Sequence, residues 1–151
     1  MLAAVRPDDV NLALLVHVLG AMVLVGALVT APAVAIVGWR DAGGTPLRIA
    51  YKTLLYVGLP SWIVMRVGAQ WVYAEQNLDD LPEDPAWVGV GFVTAELGGL
   101  LLLVALILGG IGLRRTRSGG SSGLLKASVI IAMLLLAVYV LAVWAMSAKP
   151  D

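Results

Sequence analysis

YKTLLYVGLPSWIVMRVGAQWVY, residues 51–73, is an almost wholly apolar stretch, and it is long enough to cross a lipid bilayer. It nevertheless carries a charged residue, Arg66, deep inside. A charged side chain at that depth is costly, and in membrane proteins it usually faces the interior of a helix bundle or a cavity. The stretch therefore predicts a transmembrane helix and makes Arg66 the first candidate for a functional residue.

The composition of the whole chain agrees with a membrane protein. Of the 151 residues, 60% are hydrophobic and 13% are charged, and the mean hydropathy is +0.93. A soluble domain of this size would have about a quarter of its residues charged. The length predicts one domain, residues 1–151. The absence of cysteine excludes disulfides, thiolate metal sites and cysteine nucleophiles, and the single histidine excludes multi-histidine zinc or haem sites within one chain.

Four long apolar runs are separated by short polar connections. Each run exceeds the roughly 20 residues that a membrane-spanning helix needs. Proline at position 60 lies in the middle of the second run, where it is expected to kink the helix. The predicted fold is an all-α, integral membrane, antiparallel bundle of four transmembrane helices. The predicted helices are 10–39, 47–75, 87–113 and 124–147, with connections at 40–46, 76–86 and 114–123.

The charges of the connections predict the orientation in the membrane. Cytoplasmic connections of membrane proteins are enriched in lysine and arginine. The second connection, 76–86, contains four acidic residues and no basic one, so we expect it outside. Connections 40–46 and 114–123 are then cytoplasmic, and both termini lie outside. The basic residues at or beside these two connections are Arg40, Arg48, Lys52, Arg114, Arg115, Arg117 and Lys126.

Polar side chains of the four predicted helices lie at one depth. They are six to nine residues from the predicted outer boundary, or about 9–14 Å at 1.5 Å per residue. Three of them are the only ionisable residues far from a predicted membrane surface, and the histidine is expected to point inward because small residues share its face. The layer consists of His17, Arg66, Glu96 and Tyr139.

Arg66 and Glu96 are expected to pair inside the bundle, because an unpaired charge at this depth is heavily penalised. Trp62 and Gln70 share the helix face of Arg66 at helical spacing. The histidine or the tyrosine of the layer is expected to join the pair by a hydrogen bond or through one water. These six side chains form the candidate ligand-binding or proton-handling site, and no catalytic residue and no metal site are predicted.

Three interpretations of function remain open. The site binds an anionic or quinone-like molecule or relays protons. Alternatively, the pair only fixes the register of the helices in a non-catalytic accessory subunit, and the glycine-rich helix 87–113 contacts a second copy or a membrane partner. Two further alternatives concern the charges themselves. In one, the Arg66 side chain extends outward to the membrane surface, and in the other, Glu96 is protonated.

The third interpretation is a redox protein that binds haem. His17 would be an axial ligand, with Met22, Met65 or a water opposite, and no other cofactor is predicted. A soluble enzyme and nucleic-acid binding are not predicted. The glycines at 109, 110 and 112 do not form a phosphate-binding loop, because no strand precedes them.

Part of the sequence resembles a known family. VHVLGAMVLVGALV, residues 16–29, is similar to the opening span of small CopD-like bacterial membrane proteins and of related four-helix families of unassigned function. LPSWIVMRVGAQWVYAEQ and DPAWVGVGF, residues 59–76 and 84–92, also resemble bacterial membrane proteins of this size. The resemblance implies the inner (plasma) membrane of a bacterium and metal or haem handling through His17. Copper handling would favour further histidines and cysteines, which this chain lacks.

Overall fold

The computed structural model describes residues 8–40, 44–76 and 86–148, and every secondary-structure element in these ranges is helical. The all-α class is therefore confirmed. The elements are α1 (Asp8–Val37), α2 (Thr45–Thr53), a π-helical segment (Leu54–Gly58), α3 (Leu59–Glu75), α4 (Ala86–Arg117) and α5 (Gly123–Ala148). Three of them, α1, α4 and α5, are long and apolar enough to cross a membrane. The connection predicted at 76–86 lies almost entirely outside the described residues.

The predicted second helix is helical without a gap from residue 45 to residue 75, but it consists of three consecutive segments. Its parts have 9, 5 and 17 residues, and none alone has the roughly 20 that a span needs. Pro60 has no amide hydrogen, and its ring clashes with the carbonyl four residues earlier. Directly before it, the amide of Leu59 donates to the carbonyl of Leu54, five residues back, which widens the turn. The Ser61 hydroxyl donates to two carbonyls of that turn, at 2.7 and 2.9 Å. The effect of the proline is thus a π-helical turn.

The third connection is shorter than predicted. The prediction of a loop over 114–123 is wrong for its first four residues, because α4 continues to Arg117. Arginine is a good helix former, and its positive charge is favourable near a helix C-terminus. The helix ends where Gly119 adopts a φ of 81°, and the amide of Gly120 donates to the carbonyl of Arg115 at 2.8 Å. This is the left-handed glycine termination that stops many helices.

Helices α1 and α3 pack with their backbones in direct contact. A Cβ atom on Gly20 would lie 2.5 Å from the backbone nitrogen of Met65, and one on Gly68 would lie 2.5 Å from the backbone nitrogen of His17. The paired positions run in opposite order along the chain, so the two helices are antiparallel. Small residues allow this close approach, and it fixes the position of the histidine relative to α3.

The glycines of α4 accept aromatic side chains from the neighbouring helices. The sequence predicts a partner contact on this helix, whereas in the described part of the chain these glycines serve packing within one molecule. A homo-oligomer or membrane partner through 87–113 stays a prediction. The paired residues run in opposite order here too, so α4 is antiparallel to α5 and to the continuous segment 45–75. The pairs are Gly98 with Tyr139 and Gly112 with Leu125 on α5, and Gly99 with Trp62 and Gly109 with Tyr51 on segment 45–75.

Candidate functional site

A cavity of about 500 Å³ lies between α1, α3, α4 and α5. It is at the end of the molecule where α3 and α5 end and α4 begins, and its wall is mostly apolar. Three of the six predicted site residues line it, each from a different helix: His17, Arg66 and Tyr139. The other three, Trp62, Gln70 and Glu96, are not part of its wall.

His17 is held by a hydrogen bond across the α1–α3 contact. Its Nδ1 lies 2.9 Å from the carbonyl oxygen of Met65. Because a carbonyl oxygen only accepts, Nδ1 carries the hydrogen of this bond. The close approach at Gly68 makes this bond possible by bringing α3 against the backbone of His17. In the described residues His17 has no direct hydrogen bond to Arg66 or Glu96, and the expected link through a water stays a prediction.

Arg66 and Glu96 form the predicted ion pair. Nε and Nη2 of the arginine lie 2.8 and 2.7 Å from Oε1 of the glutamate, and Nη1 lies 3.0 Å from Oε1 of Gln70. The prediction that the pair is enclosed is wrong, because the arginine side chain is 25% exposed and the glutamate 61%. On α4 the buried positions Ala95 and Gly98 flank the glutamate, so its side chain points away from the core.

Trp62 and Tyr139 pack against α4 near the ion pair. The Trp62 indole N–H donates to the carbonyl of Ala95 at 3.1 Å, and its ring packs on Gly99. The Tyr139 side chain is buried against Gly98. Within the described residues its hydroxyl has no hydrogen bond of good geometry, although the Trp62 side chain lies close to it. A buried polar group without a partner is costly. The oxygen has almost no exposed surface, so a molecule in the cavity could reach this hydroxyl only after the Tyr139 side chain moved.

We expect the substitution Tyr139→Phe to leave the stability of the empty protein unchanged or to raise it by about 1 kcal/mol. The reason is that it removes a buried hydroxyl that has no partner, whereas loss of a satisfied one usually destabilises by a similar amount. Thermal unfolding of the purified variant in detergent measures this. A clear loss of stability would contradict the structure and would indicate that the hydroxyl is hydrogen bonded.

An aromatic contact that the sequence analysis did not identify closes the site between α3 and α4. Phe92 packs edge-on against Tyr73, with ring centroids 5.2 Å apart and an angle of 89°. The guanidinium carbon of Arg66 lies 5.3 Å from the centroid of the Phe92 ring. A signal was present in the sequence: the only phenylalanine lies four residues before Glu96, and therefore on the same helix face.

The residues predicted as axial haem ligands, His17 with Met22 or Met65, do not lie on opposite sides of a common cavity. Met22 is 66% exposed and is not part of the cavity wall, and Met65 lies beside His17 in the α1–α3 contact. Two axial ligands must approach the iron from opposite sides of the macrocycle. In the described ranges, no three histidine, cysteine, aspartate or glutamate side chains are grouped to hold a metal ion.

Comparison with known proteins assigns no family to this chain. It matches no protein-family model, no curated protein and no solved structure. The similarity of its first helix to CopD-like membrane proteins therefore stays a prediction from the sequence, and a function has to be argued from the cavity itself.

Proposed function

We propose that this chain is a multi-pass membrane protein whose helices form a four-span bundle around a binding site for a small amphipathic ligand. Three helices have the length and hydropathy of membrane spans. The fourth span would be the continuous helical segment 45–75. Its support is that it packs backbone to backbone on α1 and places Tyr51 and Trp62 on glycines of α4.

The proposed orientation puts the cavity in the outer half of the membrane. Arg48, Lys52 and Lys126 lie on helices at the end opposite the cavity, as does the basic last turn of α4. The Lys126 ammonium lies 5.3 Å from the centroid of the Trp39 ring, a pairing suited to a membrane interface. The positive-inside rule makes this the cytoplasmic end, with both termini outside. A bacterial inner membrane is the proposed location.

The observation that carries the ligand proposal is a cavity with a few polar side chains in a mostly apolar wall. Its volume, about 500 Å³, is within the roughly 300–1,000 Å³ of small-molecule sites. The polar side chains of the wall include the guanidinium of Arg66 and the imidazole of His17. Such a site suits a molecule with one polar head and an apolar body. Ligand binding is better supported than proton handling, because His17 bonds to a backbone carbonyl and to neither charged residue.

Filling the cavity tests this function. We expect Ala69→Trp to remove a small molecule that copurifies with the wild-type protein, as detected by native mass spectrometry. Ala69 lines the cavity, and an indole ring would occupy much of the apolar space. The matched control is Val67→Trp on the same helix, where the side chain is 59% exposed and points away from the cavity.

Two results would contradict the proposal. One is a wild-type protein that carries no molecule and binds none offered to it. The other is equal binding by both tryptophan variants. Either result would favour the accessory-subunit interpretation, in which the polar residues only fix the helices. A Soret absorption band that His17→Ala abolishes would instead support the haem alternative.

A further inference from the structure

We propose that the ligand is an amphiphile with an anionic headgroup, and that this headgroup replaces Glu96 as the counter-ion of Arg66. The ligand would enter from the outer leaflet between α3 and α4. This inference rests on the proposed ligand-binding function, because it names the chemical class of molecule that the same cavity takes. It follows from the way that the wall between α3 and α4 is built.

The contact between α3 and α4 differs from the contact between α1 and α3. Helices α1 and α3 meet backbone to backbone at Gly20 and Gly68, so no gap can open there without moving a helix. Around the cavity, α3 and α4 meet through the side chains of Arg66, Tyr73 and Phe92. Side chains change rotamer far more easily than packed helices separate. The α3–α4 contact is therefore the part of the wall that can open towards lipid.

The Arg66 side chain contacts both the cavity and the outer surface of the protein. It lines the cavity, yet it pairs with a carboxylate that is mostly exposed outside it. Both contacts to Glu96 use one oxygen, Oε1, and are therefore not the paired fork in which arginine binds a carboxylate most strongly. A guanidinium has five N–H donors, of which Glu96 and Gln70 engage three. Two donors are left that these residues do not engage.

The anionic charge of the ligand follows from the cost of an unpaired cation. In an apolar cavity, a neutral headgroup could not compensate the guanidinium if Glu96 turned away. A carboxylate or a phosphate would compensate it and would form two parallel hydrogen bonds. Glu96 has room to turn because its side chain is 61% exposed.

Binding of three twelve-carbon probes to the full chain in lipid nanodiscs tests the exchange. The probes are dodecanoate, dodecyl phosphate and neutral dodecanol, and binding to Ala69→Trp is subtracted as membrane partitioning. We expect at least one anionic probe to bind roughly tenfold tighter than dodecanol, as a charge-assisted contact would give. Glu96→Gln should tighten anionic binding by about threefold to tenfold, because it removes the competing carboxylate. The control is Glu75→Gln, which alters an exposed carboxylate that accepts a hydrogen bond from Trp71. It should leave the affinity for all three probes unchanged.

The double variant Arg66→Gln/Glu96→Gln separates a binding effect from a folding effect. It removes both charges together, so the fold keeps its charge balance, and it should bind dodecanol and no longer prefer the anionic probes. Preference for dodecanoate would indicate fatty-acid-like ligands, and preference for dodecyl phosphate would indicate phosphate-bearing lipids. Equal binding of dodecanol and both anions by the wild type, or unchanged or weaker anion binding by Glu96→Gln, would overturn the exchange alone. Binding of no probe above the Ala69→Trp level would overturn the proposed function as well.

Discussion

Replacement of Gly68 by valine is expected to prevent α1 and α3 from packing and to destabilise the protein by about 3 kcal/mol or more. The first added atom would lie 2.5 Å from the backbone nitrogen of His17, which no rotamer change can relieve. The hydrogen bond from the histidine to Met65 would be lost when the helices separate. Gly20→Val should have a similar effect, because it places the same atom against the backbone of Met65.

Gly26→Val on α1 is the matched control. A Cβ atom at that position would have no neighbour within 4 Å, so it carries the same change in helix propensity without the clash. Denaturation in mixed micelles followed by circular dichroism gives the free energy of unfolding for each variant. If Gly68→Val and Gly26→Val unfold at the same denaturant concentration, the close α1–α3 contact is not present in the protein.

The second large effect is expected from the ion pair. We predict that Arg66→Leu and Glu96→Leu each destabilise the protein by about 1–3 kcal/mol, and that the double variant recovers part of the loss. Each single change leaves an unpaired charge at a depth where charge is costly. The cost should stay below the roughly 3–5 kcal/mol of a fully buried pair, because Glu96 is mostly exposed.

Glu75 on α3 is the matched control for the ion pair. It accepts a hydrogen bond from the neutral side chain of Trp71 and has no cationic partner in that contact. Glu75→Leu should therefore change stability by less than either variant of the ion pair. The measurement is a double-mutant cycle of unfolding free energies in lipid or detergent. Single losses that simply add would show that the two charges do not stabilise each other.

Several features of the site could be predicted from sequence. The depth of Arg66 and Glu96 predicted their pairing, since two opposite charges at one level of an apolar environment have no better partner. The common depth of His17 and Tyr139 likewise placed them at the end of the molecule where the cavity lies. The exposure of the glutamate could not be predicted, because depth along a helix does not specify the direction in which a side chain points.

The glycines show the same limit. Their abundance in α4 indicates a close contact and predicts a surface for a second copy or a membrane partner. The structure places Tyr139 and Trp62 on Gly98 and Gly99, and a contact with a partner stays a prediction. Sequence shows that a helix has space on its surface, but which neighbour fills that space depends on how the other helices are arranged.

The sequence by itself determined the all-helical class, three of the four predicted apolar spans and the pairing of Arg66 with Glu96. These properties follow from hydropathy, helical rise and the cost of isolated charge, all of which can be read along one dimension. Only the tertiary structure decided that His17 bonds to Met65 and that His17 and Arg66 line one cavity while Glu96 points away from the core. The physical reason is that these features depend on how closely helix backbones approach, and that distance is set by glycine contacts between residues far apart in the chain.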